Sequence, residues 1–408
     1  MKKIFFISLA ASAAMLLAGC HFGNGFSVFN DDDDNGRNVT TMEVNNGDDD
    51  IKIEYAGDIA FTDDETTVKS ISAGGCLKYW KNGRKIIAES NKDGVIYWQL
   101  YNGSKNFSIN DVRGKQLVTA AIKDLIGLGF DAKARVDRLY KKGGATAVLD
   151  EIDYLKGNYV RSLYFEQLLN TKYLTVPEMV TTAKSIGVII DGNYEKQELL
   201  KKFASAFMAN PQTSKAYFDA VNTLTGDYEK ENTLEAIIKE PLTKTQLGQV
   251  IDIAGTINGN YEKSEVLKAI IAKTGLSAEN CDKLLDVTAS LTGDFEKQGV
   301  LSDLADSDSL TDENFNRMLF VTGHINGDYE KSEVLKKIAA QDITSDDEWV
   351  SLINASTTLN GNNEKSGVMI AIAQKMPKDD KVKTAYMETA KTINSDYEYA
   401  QAVKATQQ

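Results

Sequence analysis

Apolar and polar residues alternate along the chain from residue 51 onward, as in the segment "IKIEYAG". Alternation of this kind places all apolar side chains on one face of an extended strand. The pair Asn82-Gly83 separates two further runs and is typical of a tight hairpin, because both residues tolerate positive φ. Together with the strand-prone runs "DIAFT", "TVKSIS" and "VIYWQLY", the pattern predicts a small antiparallel β-meander of about five or six strands over residues 51–108.

A second pattern, with a period close to 34 residues, occupies the later part of the chain. Apolar residues recur at helical spacing before and after a motif like "DYEK", which predicts two helices joined by a short turn. A helical hairpin with one apolar side cannot bury that side alone, so neighbouring hairpins stack into an α-solenoid. The residues aligned with the tyrosine of the motif are Tyr159, Tyr194, Tyr228, Tyr261, Phe295, Tyr329, Asn363 and Tyr397.

The turn of each repeat has restricted residue types. Glycine stands two positions before the aligned residue in seven of the eight repeats, and Ser395 replaces it in the last. We interpret this glycine as a left-handed cap that ends the first helix. The Asp or Asn that follows predicts an N-cap for the second helix. The Glu one position after the aligned residue suits the positive end of that helix.

The predicted fold class is therefore α+β, predominantly α. A small N-terminal antiparallel β-meander is followed by an α-solenoid of about eight helical hairpins with a period of 34 residues. Residues 109–144 form a helical connector or a degenerate first hairpin, and residues 145–408 form the solenoid. The low content of proline, four residues in 408, agrees with a mostly helical chain.

The first residues of the chain have the composition of a secretory signal. Lys2 and Lys3 precede an apolar run that is too short for a stable membrane span and ends in "LAGC". This ending resembles the bacterial lipoprotein signal, which implies that residues 1–19 are removed and that Cys20 carries acyl chains that anchor the protein in a membrane. By the same resemblance, His21 in place of Asp favours the outer membrane of a Gram-negative bacterium. The alternative is a plain signal peptide that leaves Cys20 as a free thiol.

Residues 20–50 are rich in Gly, Asn and Asp, and they predict an acidic, flexible tether. Four of these residues, Asp31, Asp33, Asn35 and Gly36, also fit the opening of a calcium loop. The closing Glu of such a loop is missing, because Met42 stands at its position. The segment is thus either a solvated spacer or a calcium-binding loop.

Charge and composition argue against several functions. The net charge of −13 disfavours nucleic acid as a partner. With only His21 and His324, a histidine-based catalytic triad or metal centre is not expected, and neither is a cofactor. Cys76 and Cys281 are either a disulfide or two small buried apolar residues. We therefore predict a protein that is not an enzyme and has no catalytic or metal-binding residues.

Aromatic residues cluster in the predicted β-meander. Trp80, Trp98 and Tyr101 are the candidate partner-binding residues, with Tyr79 and Tyr97 beside them. Because neighbours in a strand point to opposite sides, both faces of the sheet should carry aromatic side chains. One interpretation is a face that binds a peptide or glycan. The other is a small sheet that uses these side chains only for packing.

Three segments of the chain, "GDIAFTDDETTVKSISAGG", "AKARVDRLYKKGGATAVLDEI" and "NYVRSLYFEQLL", precede the repeated "SDYE"-like units. Over residues 55–408 the chain resembles the extracytoplasmic module that follows the membrane metallopeptidase in some relatives of beta-lactam-sensing regulators. The resemblance implies an uncharacterised interaction or sensing module without the peptidase, since no His-Glu-x-x-His motif is present. Tetratricopeptide repeats have the same period, but their Trp–Leu-Gly–Tyr pattern is absent here.

These patterns lead to one main functional hypothesis and two alternatives. The main hypothesis is a lipid-anchored scaffold of the cell envelope whose helical repeats bind a protein or peptide, with envelope sensing as a candidate role. The first alternative is a lipoprotein that binds cell wall or glycan through the aromatic β domain. The second is a mechanical spacer with no specific ligand.

Overall fold

The computed structural model describes residues 26–33, 36–45, 50–171, 174–273, 275–307 and 312–407. The chain forms two compact units, Met1–Asn170 and Thr171–Gln408. The first unit contains an antiparallel β-sheet followed by helices, and the second is helical. This arrangement confirms the predicted fold class, α+β and predominantly α, with a repeated helical part.

A seven-stranded antiparallel sheet dominates the first unit. Its strands, in spatial order, are β1 (Phe26–Asp32), β2 (Asn38–Asn45), β3 (Asp50–Ala56), β6 (Cys76–Lys81), β7 (Arg84–Ser90), β8 (Ile96–Asn102) and β9 (Lys105–Phe107). A separate hairpin of β4 (Ile59–Phe61) and β5 (Val68–Ile71) interrupts the meander between β3 and β6. The predicted tight hairpin is confirmed, because Asn82 and Gly83 take φ values of 49° and 75° between β6 and β7.

The predicted flexible tether is wrong for residues 26–33 and 36–45, because they contribute β1 and β2 to the sheet. β2 pairs in register with β3, placing Met42 opposite Ile53, and Met42 is buried in the core of the unit. On the other face of β2, Val39 and Thr41 are also buried. This segment has few apolar residues, but they stand at alternate positions, as a strand requires. The many Asp and Asn residues among them make this alternation hard to recognise in the sequence. Residues 1–25, with Cys20, lie outside the described residues.

In the described part of the first unit, three helices follow the sheet, namely α1 (Val112–Gly127), α2 (Ala132–Tyr154) and α3 (Asn158–Leu169). Helix α1 packs its apolar face on the sheet, where Val118, Ile122 and Leu125 share one core with Ile53 and Tyr79. Helix α2 is broken at Gly143 and Gly144, whose backbone is not helical. The predicted helical connector thus corresponds to α1 and the first half of α2. The second half of α2 and α3 form the hairpin of the first repeat.

A buried ionic network links the hairpin β4–β5 to α2 and α3. Arg135 donates from Nε to Glu65 Oε1 at 2.7 Å and from Nη1 to Glu151 Oε1 at 2.8 Å and the Tyr164 hydroxyl at 3.2 Å. Burial opposes the charged form of Arg135, but these acceptors together raise its pKa above the ordinary value. The three segments that carry the family resemblance therefore meet at one arginine.

The second unit is a stack of seven helical hairpins in its described part. The first helix of each hairpin packs on the first helix of the next, and the second helices pack in the same way, so that two layers form. The first helices are α4 (Val176–Ile189), α6 (Pro211–Val221), α8 (Lys244–Ala254), α10 (Ala278–Ala289), α12 (Asp312–Gly323), α14 (Asp346–Ala355) and α16 (Asp380–Ala390). The second helices are α5 (Asn193–Met208), α7 (Asp227–Ile238), α9 (Asn260–Ala272), α11 (Asp294–Ala305), α13 (Asp328–Ala339), α15 (Asn362–Ala373) and α17 (Asp396–Ala405).

The glycine of the turn has a different role from the one predicted. In the second unit it is itself the N-cap of the second helix, with φ between −62° at Gly259 and −83° at Gly226, so no left-handed cap forms. A Cβ atom at Gly226 would overlap the carboxylate of Glu229, which folds back over the turn. Glycine therefore leaves room for this carboxylate, which would have to shift to admit a larger residue. In the last repeat the Ser395 hydroxyl donates a hydrogen bond to the corresponding Glu398.

The prediction that the Asp or Asn after this glycine is an N-cap is also wrong. This residue is the first residue of the second helix, and its side chain accepts hydrogen bonds from the turn of the next repeat. Asp294 accepts from the amides of Asn326 at 3.1 Å and Gly327 at 2.9 Å. Asn260 similarly accepts from the Thr292 amide at 2.9 Å. These bonds join the turns of consecutive repeats. The glycine at the N-cap has no side chain that could cap the helix.

Candidate partner-binding surface

An aromatic side chain projects into solvent from six of the seven second helices described in the second unit. Large apolar side chains are usually buried, so their exposure at equivalent positions is informative. We call these residues the aromatic row. Its members, with their exposed fractions, are Tyr194 (58 %), Tyr228 (64 %), Tyr261 (63 %), Phe295 (72 %), Tyr329 (66 %) and Tyr397 (70 %). Asn363 interrupts the row between the last two members.

The position of each aromatic residue in its helix explains its exposure. It is the second residue of the helix, whereas the buried apolar residues follow six, nine and ten positions later, as in Leu335, Ile338 and Ala339. At about 100° per residue, the aromatic side chain points about 130° away from the centre of that apolar stripe. It therefore adds nothing to the core between the two helix layers.

The backbone of the aromatic row is held on both sides. The preceding Asp or Asn is bonded to the next turn, as in the pair Asn260 and Thr292. The Lys two positions after the aromatic residue is buried, with at most 7 % exposed in Lys196, Lys230, Lys263, Lys297, Lys331 and Lys365. The row is therefore presented on a rigid part of each repeat, which reduces the entropy lost when a partner binds.

Four of the buried lysines, Lys196, Lys230, Lys263 and Lys365, donate to a hydroxyl group of the next repeat, and Lys331 donates to the backbone carbonyl of Thr358. Lys230 donates from Nζ to Thr256 Oγ1 at 3.0 Å, and Lys263 donates to Ser290 Oγ at 3.1 Å. Each hydroxyl in turn donates to a carbonyl near the end of a first helix, as Thr256 does to Ile253 at 2.7 Å. Burial lowers the pKa of the Lys230 ammonium, and the nearby carboxylate of Asp227 opposes this effect. The negative end of the first helix offsets part of the cost of burying this charge.

His324 occupies the position that holds a hydroxyl residue in neighbouring repeats. His324 is exposed, as expected for a surface residue. The centroid of its ring lies 4.5 Å from the centroid of the Phe320 ring. Its Nδ1 lies 2.8 Å from the carbonyl oxygen of Phe320. The column is polar because its hydroxyls accept from the lysines, and His324 offers no such hydroxyl to Lys297.

The side chains of the aromatic row are suited to binding a partner molecule. Aromatic faces supply apolar contact area with few rotatable bonds, and the tyrosine hydroxyls can exchange hydrogen bonds at their tips. Phe295 shows that the hydroxyl is not present in every repeat. Each aromatic residue is followed by Glu, and four are preceded by Asp, so carboxylates accompany the row.

The aromatic residues singled out in the β domain do not form one site. Trp80 and Tyr101 lie in one cross-strand row on the outer face of the sheet, with Lys85 between them. Trp98 belongs to the opposite face, where it is half-buried against the core with Ala88 and Leu100. The strand register thus separates Trp98 from the other two, as alternation requires.

Lysines occupy much of the space around Trp80. Lys52 and Lys85 are its cross-strand neighbours, with Nζ atoms 5.7 and 5.8 Å from the ring centroid. Both contacts are within the range of cation–π attraction. An open groove of about 470 Å³ lies beside this ring and is lined by Glu43, Asp50 and both lysines, among others. The outer face thus combines an aromatic ring with mixed charges.

The residues considered for calcium binding have another role in the part of the chain that the structure describes. Asp33 is buried and accepts from Lys78 Nζ at 2.8 Å and from Arg37 Nε at 2.9 Å. Asn35 lies outside the described residues. Among those described, no group of three or more His, Cys, Asp or Glu is placed to hold a metal ion. The Asp33 carboxylate is thus engaged by two cations.

Both cysteines of the described ranges are buried free thiols, Cys76 in the first unit and Cys281 in the second. Burial raises the pKa of the Cys281 thiol to about 11, which disfavours the reactive thiolate. Within the same ranges, no helix has the length and apolar character needed to cross a membrane.

Comparison with known proteins adds no family assignment. The chain matches no family model and no curated protein. A chain from work on the computational design of self-assembling cyclic protein homooligomers is 12 % identical, with 68 % of this chain and 92 % of that chain covered. Its TM-score of 0.13 is too low to support an argument about fold or function.

Proposed function

We propose that this protein is a non-enzymatic, lipid-anchored scaffold of the cell envelope whose helical repeats bind a protein or peptide partner through the aromatic row. The observation that supports the proposal most is the exposure of six aromatic side chains at equivalent positions of stacked helices. Single exposed apolar residues need no explanation, but a contiguous exposed series is typical of an interaction surface.

The geometry of stacked helices makes the row continuous. Packed helices lie about 8–10 Å apart, so consecutive members of the row are separated by roughly that distance. Five members, from Tyr194 to Tyr329, occur in consecutive repeats. Since no aromatic residue of the row helps to fill the core, selection for folding alone gives no reason for its repetition.

The location rests on the start of the sequence. The ending "LAGC" supports removal of residues 1–19 and acylation of Cys20, and His21 supports the outer membrane of a Gram-negative bacterium. Anchoring would hold the repeats near a membrane and raise the effective concentration of a partner there. Envelope sensing through the bound partner is compatible with this arrangement.

Affinity recovery after in-cell crosslinking tests the proposal. A variant with Tyr228→Ser, Tyr261→Ser and Tyr329→Ser should lose its partner, because three central members of the row become small and polar. Tyr154→Ser is the matched control, since Tyr154 is 82 % exposed but lies in the first unit. Recovery of the same protein by both variants would refute the proposal.

A second candidate function is glycan binding by the outer face of the sheet. The observation in its favour is the groove of about 470 Å³ beside Trp80, on the face that also carries Tyr101. A glycan array probed with the intact chain and with Trp80→Ala tests this function. Binding that is lost in Trp80→Ala would support it, and an absence of binding by the intact chain would exclude it.

A further inference from the structure

We propose that the ligand of the aromatic row is a proline-rich, positively charged polypeptide segment in the polyproline II conformation. This inference rests on the proposed function and specifies its partner class. The occupant is deduced from three features of the row, which are its spacing, its aromatic composition and the carboxylates that accompany it.

The spacing of the row agrees with polyproline II. This conformation has three residues per turn and rises about 3.1 Å per residue, so one side of the helix repeats about every 9.3 Å. Adjacent packed helices of the second unit are about 8–10 Å apart. A proline at every third position can therefore meet one aromatic residue in each repeat.

The composition of the row suits proline. Aromatic side chains line the grooves of domains that recognise polyproline II, because flat rings pack on the pyrrolidine rings. A polyproline segment is also largely preformed, so it loses little conformational entropy on binding. Phe295 fits this mode as well as the tyrosines do, since ring packing does not require the hydroxyl.

The charge around the row favours a basic segment. Glu229, Glu262 and Glu330 follow the aromatic residue with their carboxylates folded against the turn, and Asp227 and Asp328 precede it and accept from amides of the next turn. These groups bond to the neutral backbone and keep their negative charge, whereas the adjacent lysines are buried. With a net charge of −13 for the chain, a second copy or an anionic lipid surface would be repelled.

Asn363 has no aromatic ring, so it ends the uninterrupted part of the aromatic row and limits the length of the ligand that can bind. Tyr194 to Tyr329 are five consecutive members and span four intervals, or about 37 Å. A polyproline II segment of about 13 residues covers this distance. Replacing Asn363 by Tyr would join Tyr397 to the row and lengthen it by two members.

Fluorescence anisotropy with a defined peptide tests the inference on the full-length chain in detergent. The probe is a labelled peptide of five Pro-Pro-Arg triplets. The matched peptides contain five Gly-Gly-Arg triplets, with the same charge but no preformed helix, and five Pro-Pro-Glu triplets, with the opposite charge. We expect the first peptide to bind at least tenfold more tightly than either of the others.

Variants of the chain locate the binding site. Tyr261→Ser should weaken binding of the Pro-Pro-Arg peptide at least fivefold, whereas Tyr154→Ser should leave it unchanged. Both tyrosines are more than half exposed, so circular dichroism and thermal melting should show that both variants fold as the parent does. Asn363→Tyr should strengthen binding of a longer peptide of seven triplets at least threefold.

Three results would overturn the inference. Equal binding of the glycine peptide would mean that charge alone is recognised, and unchanged binding by Tyr261→Ser would place the site elsewhere. Binding of chitohexaose that depends on the row, without binding of the peptide, would identify a glycan surface. If the peptide fails while partner recovery from cells still depends on the row, this inference falls and the proposed function stands. If recovery is independent of the row, both fall.

Discussion

Glu231 provides a quantitative test of how the repeats pack. Burial, together with the charges of Glu235, Glu262 and Glu265, raises the pKa of this carboxyl to about 7. The residues aligned with Glu231 in other repeats of the second unit are neutral, namely Gln197, Ser264, Gln298, Ser332 and Ser366. We therefore expect Glu231→Gln to stabilise the protein in a pH-dependent manner.

The sign of the effect follows from proton linkage. The folded-state pKa of about 7 exceeds the ordinary value of 4.5, so the folded chain holds a proton that the unfolded chain releases between these pH values. Stability therefore falls as the pH rises from about 4.5 to 7. The full shift would correspond to about 3.4 kcal/mol at 1.36 kcal/mol per unit, but the side chain is partly exposed and screening reduces the effect to about 1 kcal/mol.

Urea unfolding at pH 4 and pH 8, followed by circular dichroism, measures this effect. Glu231→Gln should raise the free energy of unfolding by about 1 kcal/mol at pH 8 and change it little at pH 4. Glu388→Gln, at an exposed site on α16, is the matched control and should have little effect at either pH. Equal stabilisation at both pH values, or none at pH 8, would refute the reasoning.

Three further substitutions test other contacts of the fold. His324→Thr should stabilise the chain by about 0.5–1.5 kcal/mol in urea unfolding, because Lys297 would gain the hydroxyl acceptor present in neighbouring repeats; no change would contradict that role. Gly327→Ala should destabilise it by about 0.5–1 kcal/mol, because the added Cβ displaces the flexible Glu330 carboxylate from the turn; after Glu330→Ala the same substitution should cost less, and an equal cost in both backgrounds would point to another cause. Arg135→Ala should cost about 1–3 kcal/mol, measured by thermal and urea unfolding, because the half-buried carboxylates of Glu65 and Glu151 lose charge-assisted hydrogen bonds; a cost below about 0.5 kcal/mol would mean that the network is not structural.

The arrangement of the elements could be predicted largely from the sequence. The hairpin at Asn82 and Gly83 and the paired helices of each repeat depend on local chemistry and on periodicity, which are visible in one sequence. Strands β1 and β2 were missed because their few apolar residues, such as Val28 and Met42, are separated by Asp, Asn and Thr. Pairing with β3 supplies the stabilisation that local composition does not indicate.

The contacts between repeats could be predicted only in part. Asp294 stands in the sequence like an N-cap, but its partners Asn326 and Gly327 lie a full repeat away. The burial of the lysine two positions after the aromatic residue is predictable from helix geometry. It lies about 200° around the helix axis from the aromatic residue, and the buried apolar stripe spans about 180–280° on the same scale.

The aromatic row was also present in the sequence alignment, where it served only to define the repeat. Its position off the apolar stripe predicts exposure, and exposure of a repeated aromatic residue indicates a binding surface. The candidate residues of the β domain were chosen instead because tryptophans clustered there. The register of β6, β7 and β8, which places Trp98 on the core face, decides how that cluster divides.

Site-specific photocrosslinking in cells that make the protein tests the central claim most directly. A photoreactive phenylalanine analogue replaces Tyr261 in one strain and Tyr154 in another, and both side chains are exposed in the parent. We predict that the probe at position 261 captures one dominant polypeptide, with basic proline-rich sequence at the crosslinked site, and that the probe at position 154 does not. Absence of any specific crosslink at position 261, or the same products at both positions, would contradict a partner-binding role for the aromatic row.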